Sequence, residues 1–330
     1  MRKQLTAVFM AGVLGAACVA MAGCGQEASP AKADTEAVGV TETAETTEAA
    51  DTLESEKAGD SGDAVEGSTV ILVVSFGTSY NENRKVTIEA IEEAVGSEFG
   101  DYEVRREFTS QIIIDKLKER DGLEIDNVEE ALDRAVEDGI ANLVVQPTHL
   151  MDWYEYTDLA NELKDYEGKF SKVVLGEPLL SSDEDFDKVV KAIVEKTAEY
   201  DDGETAICFM GHGTEADSNR VYPRMQETLK AAGYENYFIG TVEAEPALED
   251  VMAALKEKGS YKRVVLEPLM VVAGDHANND MAGDEEDSWK TILENEGYEV
   301  ECVLEGLGQI PAVRDIYVEH VQAAMEKLGE

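Results

Sequence analysis

From Thr69 to its C-terminus, the chain alternates between short apolar runs and longer stretches of mixed polarity. Residues 70–76 are apolar or β-branched almost without interruption, which indicates a strand covered on both faces, as in parallel sheets. Residues 183–200 instead place apolar side chains at helical spacing along one side. The repetition of these two patterns predicts an α/β fold in which parallel sheets are flanked by helices.

The same order of patterns occurs twice along the chain. A Phe-Gly-Thr triplet at residues 76–78 corresponds to His-Gly-Thr at residues 212–214, and one strand of each series ends at a proline, Pro147 or Pro268. This predicts two similar α/β lobes, residues 69–200 and 201–330, with a cleft between them. Ligands of parallel sheets bind beyond the carboxyl ends of the strands, so both lobes can line that cleft. Two unrelated βαβ domains would give a similar pattern, and that alternative stays open here.

The N-terminus has the layout of an export signal. A basic start at residues 1–3 precedes a small-residue apolar stretch at residues 6–22, which is short for a membrane span. Residues 21–23 and Cys24 resemble a bacterial lipobox. The resemblance implies that residues 1–23 are a lipoprotein signal peptide and that Cys24 is lipidated, which predicts an extracytoplasmic, membrane-anchored lipoprotein. An ordinary secretory signal cut elsewhere is the alternative.

Residues 24–68 are predicted to be an acidic, disordered tether. They contain almost no large apolar side chain, so they cannot bury enough surface to offset the entropy of ordering. Their negative charges repel one another and extend the segment. The formal net charge of the whole chain is −43, which argues against a nucleic-acid partner, because phosphate contacts need clustered Lys and Arg.

Two of the four histidines directly follow predicted apolar strands. His212 lies in a glycine-flanked turn, His276 follows the apolar run at residues 270–273, and Glu243 follows a third strand end. On neighbouring strands these side chains can converge on one divalent ion such as Co²⁺, Fe²⁺, Ni²⁺ or Zn²⁺. Polar loop residues that hydrogen-bond to the backbone are the alternative, and no HExxH spacing is present.

The other two histidines and the body cysteines receive less specific interpretations. His149 follows the strand end at Pro147 and faces the same cleft or makes local hydrogen bonds in a loop; its position favours neither. His320 is in line with apolar residues of the last predicted helix, and we interpret it as structural. Cys208 and Cys302 lie in apolar runs and are interpreted as small buried hydrophobic residues.

Motifs for nucleotide and acyl-enzyme chemistry are absent from the sequence. It contains no Walker A loop and no GxGxxG after a strand, and residues 211–213 do not form a GxSxG nucleophile elbow. We therefore expect no ATP, no nucleotide cofactor and no acyl-enzyme intermediate.

Five segments together resemble the anaerobic sirohydrochlorin cobaltochelatases, a branch of the class II chelatases. They are FGTS at residues 76–79, HGT at 212–214, GTVE at 240–243, EPLM at 267–270 and GDHANNDMAGD at 274–284. The resemblance covers the chain from about Thr69 onward. It implies a bilobal fold with a tetrapyrrole cleft, and it implies that His212, Glu243 and His276 ligate the metal. The Ala-Glu pair at residues 244–245 departs from the family pattern, which has a glycine after the ligand glutamate, and this leaves Glu245 as an alternative ligand.

The resemblance also implies an activity: insertion of Co²⁺, or of Fe²⁺ or Ni²⁺, into a tetrapyrrole without ATP, in anaerobic cobalamin biosynthesis. Metallation exchanges two pyrrole N–H protons for a divalent ion, and neutral histidine can hold a metal and accept a proton near pH 7. His212 and His276 are therefore the expected catalytic residues, with His212 as main base. We expect local arginines to guide the carboxylates of the substrate, and the candidates are Arg84, Arg105, Arg106, Arg220 and Arg224.

Two other functions remain compatible with the sequence. An extracytoplasmic lipoprotein that captures haem, another tetrapyrrole or a metal would explain export, because cobalamin precursors are made inside cells. A structural surface protein is a further alternative, although the three ligand-type residues argue against it. The sequence leaves a homo-oligomer open.

Overall fold

A computed structural model describes residues 67–330 of the chain. The predicted signal peptide at residues 1–23, the lipidation site Cys24 and all but the last two residues of the predicted tether lie outside the described residues. We call residues 69–200 the N-terminal half and residues 201–330 the C-terminal half. Among residues 67–330, no helix combines the length and the apolar character that crossing a membrane requires.

The N-terminal half contains a parallel sheet with the strand order β2-β1-β3-β4. Its strands are β1 (Thr69–Ser75), β2 (Glu103–Phe108), β3 (Asn142–Pro147) and β4 (Lys172–Leu175). Six of the seven residues of β1 are buried, as expected for a central strand that is covered on both faces.

The C-terminal half repeats this sheet with the strand order β6-β5-β7-β8, again all parallel. Its strands are β5 (Thr205–Gly211), β6 (Tyr237–Thr241), β7 (Arg263–Pro268) and β8 (Glu299–Cys302). The register is also the same, because Pro147 pairs with Val74 of β1 and Pro268 pairs with Met210 of β5. The predicted fold class of two similar parallel sheets flanked by helices is confirmed.

Ten α-helices connect and cover the strands within residues 67–330. They are α1 (Asn81–Val86), α2 (Ile88–Glu98), α3 (Gln111–Asp121), α4 (Val128–Glu137), α5 (Tyr154–Asp165), α6 (Asp183–Thr197), α7 (Val221–Ala231), α8 (Leu248–Lys258), α9 (Trp289–Asn295) and α10 (Pro311–Gly329). The helix predicted over residues 183–200 ends slightly early, and residues 198–200 continue it as a 3₁₀ turn. Ser182 and Asp185 start this helix with a capping box, which satisfies backbone N–H groups that would otherwise have no partner.

The last helix of each half packs against the sheet of the other half. Phe186 and Val189 of α6 share a core with Phe209 of β5, whereas Val321 of α10 packs on Ile71 of β1. Burial of these apolar side chains from water makes the two halves depend on each other. The predicted boundary between the lobes, after residue 200, separates the two series of strands and helices along the chain. The packing of α6 and α10 crosses this boundary.

The two cysteines among the described residues are free thiols. Cys208 is fully buried within β5, as expected for a small hydrophobic residue, and this burial raises the pKa of its thiol. Cys302 is half-buried, and burial raises its pKa to about 11. Neither environment favours the reactive thiolate.

Candidate metal centre

Three strand ends bring His212, Glu243 and His276 together. His212 follows β5, Glu243 follows β6, and His276 follows the loop after β7, so neighbouring strands of one sheet supply all three. Their ligand atoms all lie within 4.8 Å of one another. Within residues 67–330, this is the group of His, Cys, Asp or Glu side chains whose geometry suits a metal ion.

The turn after β5 fixes the orientation of the His212 imidazole. The Nδ1 atom of His212 lies 2.8 Å from the carbonyl oxygen of Gly213; a carbonyl only accepts, so Nδ1 carries the proton and donates. The Nε2 lone pair is therefore free for a metal. Gly213 has a φ of +86°, and a Cβ there would lie 2.8 Å from the Ala244 nitrogen, so the turn requires glycine.

His276 is oriented by a carboxylate. Its Nδ1 atom lies 2.6 Å from Oδ2 of Asp280, one turn further along the chain. A carboxylate on one imidazole nitrogen fixes the tautomer and makes the other nitrogen a better metal ligand. The rings of His212 and His276 stand nearly perpendicular, with centroids 4.6 Å apart.

Glu243 is held through its backbone rather than its side chain. Its N–H donates to the carbonyl oxygen of His212 at 2.9 Å, which joins the two loops directly. Its carboxylate is exposed and so can move toward an ion. Glu245, the alternative ligand, lies outside the group; its carboxyl hydrogen-bonds to Asp250, which raises the pKa of Glu245. The geometry thus brings Glu243, rather than Glu245, to the two histidines.

A cavity of about 440 Å³ opens beside the two histidines, between the strand ends of the two halves. The N-terminal half contributes Phe76 and Trp153 to its lining, and the C-terminal half contributes Met270 and Val271. The ring centroid of Trp153 lies 5.2 Å from that of His212. The lining is largely apolar, which suits the faces of a flat aromatic ligand.

The other two histidines have different surroundings. His149 lines the cavity, both of its ring nitrogens are buried without a hydrogen-bond partner, and burial lowers its pKa to about 4. His149 thus faces the predicted cleft. His320 contacts the Glu177 carbonyl through Nδ1 and Asp185 through Nε2, at 3.1 and 3.3 Å. These contacts join α10 to the loop after β4 and to α6, in keeping with the interpretation of His320 as structural.

None of the five candidate arginines lines this cavity. Arg84 and Arg106 form ion pairs with Glu89, and Arg105 pairs with Glu103 and Asp138. Arg220 and Arg224 instead line a separate cavity of about 500 Å³. Sequence position alone did not show that nearby carboxylates bind the side chains of Arg84, Arg105 and Arg106.

Sequence reasoning missed Glu155, which lies in the first turn of α5 and lines the cavity. Burial raises the pKa of Glu155, while the nearby His212 acts in the opposite direction. The sequence did contain a signal for Glu155: it lies as far beyond Pro147 as His276 lies beyond Pro268, which makes it the counterpart of His276 in the N-terminal half. Trp153 and Tyr80 were also missed, and only the folded structure brings them to the cavity.

Two parallel sheets flanked by helices, whose strand ends face one cavity, form the class II chelatase-like fold that was expected from the sequence. The chain belongs to the cobalt chelatase (CbiK) family, whose sequence model matches residues 69–326.

Similar proteins support this assignment. The chain is 35% identical to the sirohydrochlorin cobaltochelatase of Salmonella typhimurium over 260 residues, which cover 79% of this chain and 97% of that protein. It is 29% identical to the sirohydrochlorin cobaltochelatase CbiKC of Nitratidesulfovibrio vulgaris, over 79% of this chain and 92% of that one. Among solved structures, SirB from Bacillus subtilis with Fe³⁺ superposes with a TM-score of 0.55 at 13% identity and covers 80% of this chain and 98% of its own; this likeness concerns the fold.

Proposed function

We propose that this chain inserts Co²⁺ into sirohydrochlorin without ATP, as a step of anaerobic cobalamin biosynthesis. Membership in the cobalt chelatase family supports the reaction class, and the two relatives named above are sirohydrochlorin cobaltochelatases. The observation that carries the proposal is the cluster of His212, Glu243 and His276, whose ligand atoms lie within 4.8 Å of one another beside a cavity between the halves.

The cluster supplies a ligand set suited to a borderline divalent ion. Two neutral imidazoles and one carboxylate bind Co²⁺, and they would also bind Fe²⁺ or Ni²⁺, because selectivity among such ions depends on geometry and supply as well as affinity. The hydrogen bonds of His212 to Gly213 and of His276 to Asp280 leave one free nitrogen on each ring. Coordination positions that the protein does not fill remain available to the pyrrole nitrogens.

The reaction exchanges the metal for two protons. Two pyrrole N–H bonds break and metal–nitrogen bonds form, while the protein ligands dissociate from the ion. His212 is the main base, because a neutral imidazole that has released the metal can accept a proton. His276, the second catalytic histidine, completes the metal site with Glu243. ATP is not required, because the metal–nitrogen bonds formed make the exchange favourable.

The apolar cavity is suited to the macrocycle. Phe76, Trp153 and Met270 line it, and their apolar surfaces can pack on the faces of a tetrapyrrole. Exclusion of water from this space would strip part of the hydration shell from the metal and strengthen its interaction with the ring nitrogens.

The proposal includes a location outside the cytoplasm. Residues 1–23 act as a lipoprotein signal peptide, Cys24 carries the lipid, and residues 24–68 lift the folded part from the membrane. Labelling cells with a fatty-acid analogue tests this part: the wild-type chain should be labelled and Cys24→Ser should not. Equal labelling, or none in either chain, would contradict lipidation at Cys24.

Capture of haem or a metal for transport is the weaker explanation. Export alone favoured it, whereas family membership and the cluster of His212, Glu243 and His276 favour catalysis. The two functions differ in turnover, because a carrier binds its tetrapyrrole without metallating it.

The test is a metallation assay. The full chain is mixed with metal-free sirohydrochlorin and Co²⁺ without oxygen, and the absorption spectrum is followed against a protein-free control. We expect metallation to be faster than in the control and to be abolished by His212→Ala. A spectral shift on binding with no acceleration would contradict the proposal.

A further inference from the structure

The imidazole of His149 is unusual among the four histidines of the chain. Both of its ring nitrogens are buried and neither has a hydrogen-bond partner, although the residue lines the central cavity. His212, His276 and His320 each have at least one ring nitrogen bound to a carbonyl or carboxylate oxygen. Leaving a buried polar group unpaired costs about 1–3 kcal/mol, so folding alone gives no reason to place a histidine here.

The C-terminal half shows that the fold does not need a polar side chain at this position. The N–H of Leu179 donates to the carbonyl of His149 at 2.9 Å, and the N–H of Leu307 donates to the carbonyl of Met270 at 2.8 Å in the matching place. Met270 is thus the structural counterpart of His149, and it lines the same cavity. One half fills the position with an apolar side chain and the other with an unpaired base.

We infer that His149 contacts the macrocycle and accepts the first pyrrole proton during metallation. The inference rests on the proposed function. His149 belongs to the N-terminal half and the three metal-binding residues to the C-terminal half, so the base and the ion reach the substrate from different halves of the protein. The macrocycle supplies the hydrogen-bond partner that the imidazole lacks in the folded chain.

The chemistry of exchange calls for such a second base. While His212 and His276 hold Co²⁺, their lone pairs are occupied and cannot accept a proton. A pyrrole N–H proton can pass to a neutral nitrogen of His149 as the first metal–nitrogen bond forms. The second proton passes to His212 once its bond to the metal has broken, and both protons then leave to solvent, which balances the two N–H bonds lost. Burial holds the pKa of His149 at about 4, so its imidazole is neutral at pH 7.

The test compares His149→Met with the wild-type full chain. The substitution copies the residue of the C-terminal half and replaces the imidazole by an apolar side chain without removing a hydrogen bond. We expect kcat for metallation to fall about 100-fold or more, a typical contribution of a positioned base. Co²⁺ affinity should stay within about twofold, and the melting temperature should hold or rise, because no hydrogen bond is lost. In His149→Ala, added imidazole should restore part of the rate.

His320→Met is the matched control. It removes the hydrogen bonds that join α10 to Asp185 of α6 and to the Glu177 carbonyl after β4, so the melting temperature should fall while kcat stays near the wild-type value. A wild-type rate in His149→Met, or a slowed His149→Ala that imidazole does not restore, overturns the inference alone. Absence of metallation by the wild-type chain would overturn the proposed function and the inference together.

Discussion

The two halves of the chain share one backbone plan and differ in what they place at the strand ends. The N–H of Ser110 donates to the carbonyl of Phe76, just as the N–H of Glu243 donates to that of His212. By this register, Phe76 and Ser110 stand where the C-terminal half has two of its proposed metal ligands. Glu155 stands in the place of His276, at the same distance beyond the strand-end proline.

This comparison shows how two halves with the same backbone plan can contribute different side chains to one cavity. The C-terminal half presents two imidazoles and a carboxylate, whereas the N-terminal half presents the exposed ring of Phe76 and the unpaired His149 at the same cavity. The proposed metal ligands are thus side chains that the N-terminal half lacks at the matching positions. The crossed packing of α6 and α10 holds the two sets of strand ends against each other.

The largest expected effect is the loss of metal binding when a ligand histidine is removed. His212→Ala and His276→Ala should each lower Co²⁺ affinity by more than about 100-fold, because removal of a ligand costs more than removal of its hydrogen-bond partner. Titration calorimetry measures the change. Phe76→Ala, at the counterpart of His212, should leave Co²⁺ affinity within about twofold. Unchanged affinity in both histidine variants would eliminate this metal site.

A second substitution pair separates the two glutamates after β6. Glu243→Gln should lower Co²⁺ affinity roughly 10- to 100-fold, because it replaces a charged ligand by a neutral one. Glu245→Gln should leave the affinity unchanged, since its carboxyl lies against Asp250, outside the cluster. The reverse result would mean that the loop rearranges on metal binding and that Glu245 is the ligand.

Asp280→Asn should have a smaller effect on the same measurement. The carboxylate orients His276 through a 2.6 Å contact, and loss of such a partner weakens metal binding by about 10-fold. Asp284→Asn is the control, because Asp284 is exposed and contacts Lys290 instead. If both variants bind Co²⁺ equally well, the contact between His276 and Asp280 does not contribute to Co²⁺ affinity.

The smallest effect concerns pH and stability. His149 has a pKa of about 4 in the folded chain and an ordinary value of 6.5 in the unfolded chain. Between these pH values the unfolded chain binds a proton at His149 and the folded chain does not. The free energy of unfolding should therefore fall as pH drops through this interval. His149→Met should make the melting temperature less dependent on pH between these values, whereas Met270→Leu should not. An identical pH dependence in all three chains would show that His149 is solvated.

The sequence predicted the fold well because parallel strands leave a strong apolar pattern. The run at residues 70–76 and the recurring prolines gave the two sheets directly. The crossed packing of α6 and α10 could not be predicted, because an apolar helix face does not specify which of two similar sheets it covers.

The candidate metal residues were predicted by position and resemblance, and the structure brings their ligand atoms together. Glu155 and the state of His149 were not predicted, since spacing along the chain does not say whether a ring nitrogen finds a partner. Guidance of the substrate by arginines stays a prediction: none of the five lines the cavity, and Arg84 and Arg106 bind carboxylates of α2.

The number of metallated tetrapyrroles formed per chain tests the central claim most directly. A limiting amount of the full chain would be incubated without oxygen with excess sirohydrochlorin and Co²⁺, and cobalt-sirohydrochlorin would be counted against the protein-free control. A chelatase releases its product and should form many molecules per chain, and His212→Ala should form no more than the control. Product that stops at one molecule per chain, or at the level of the control, would contradict catalysis and indicate a capture protein.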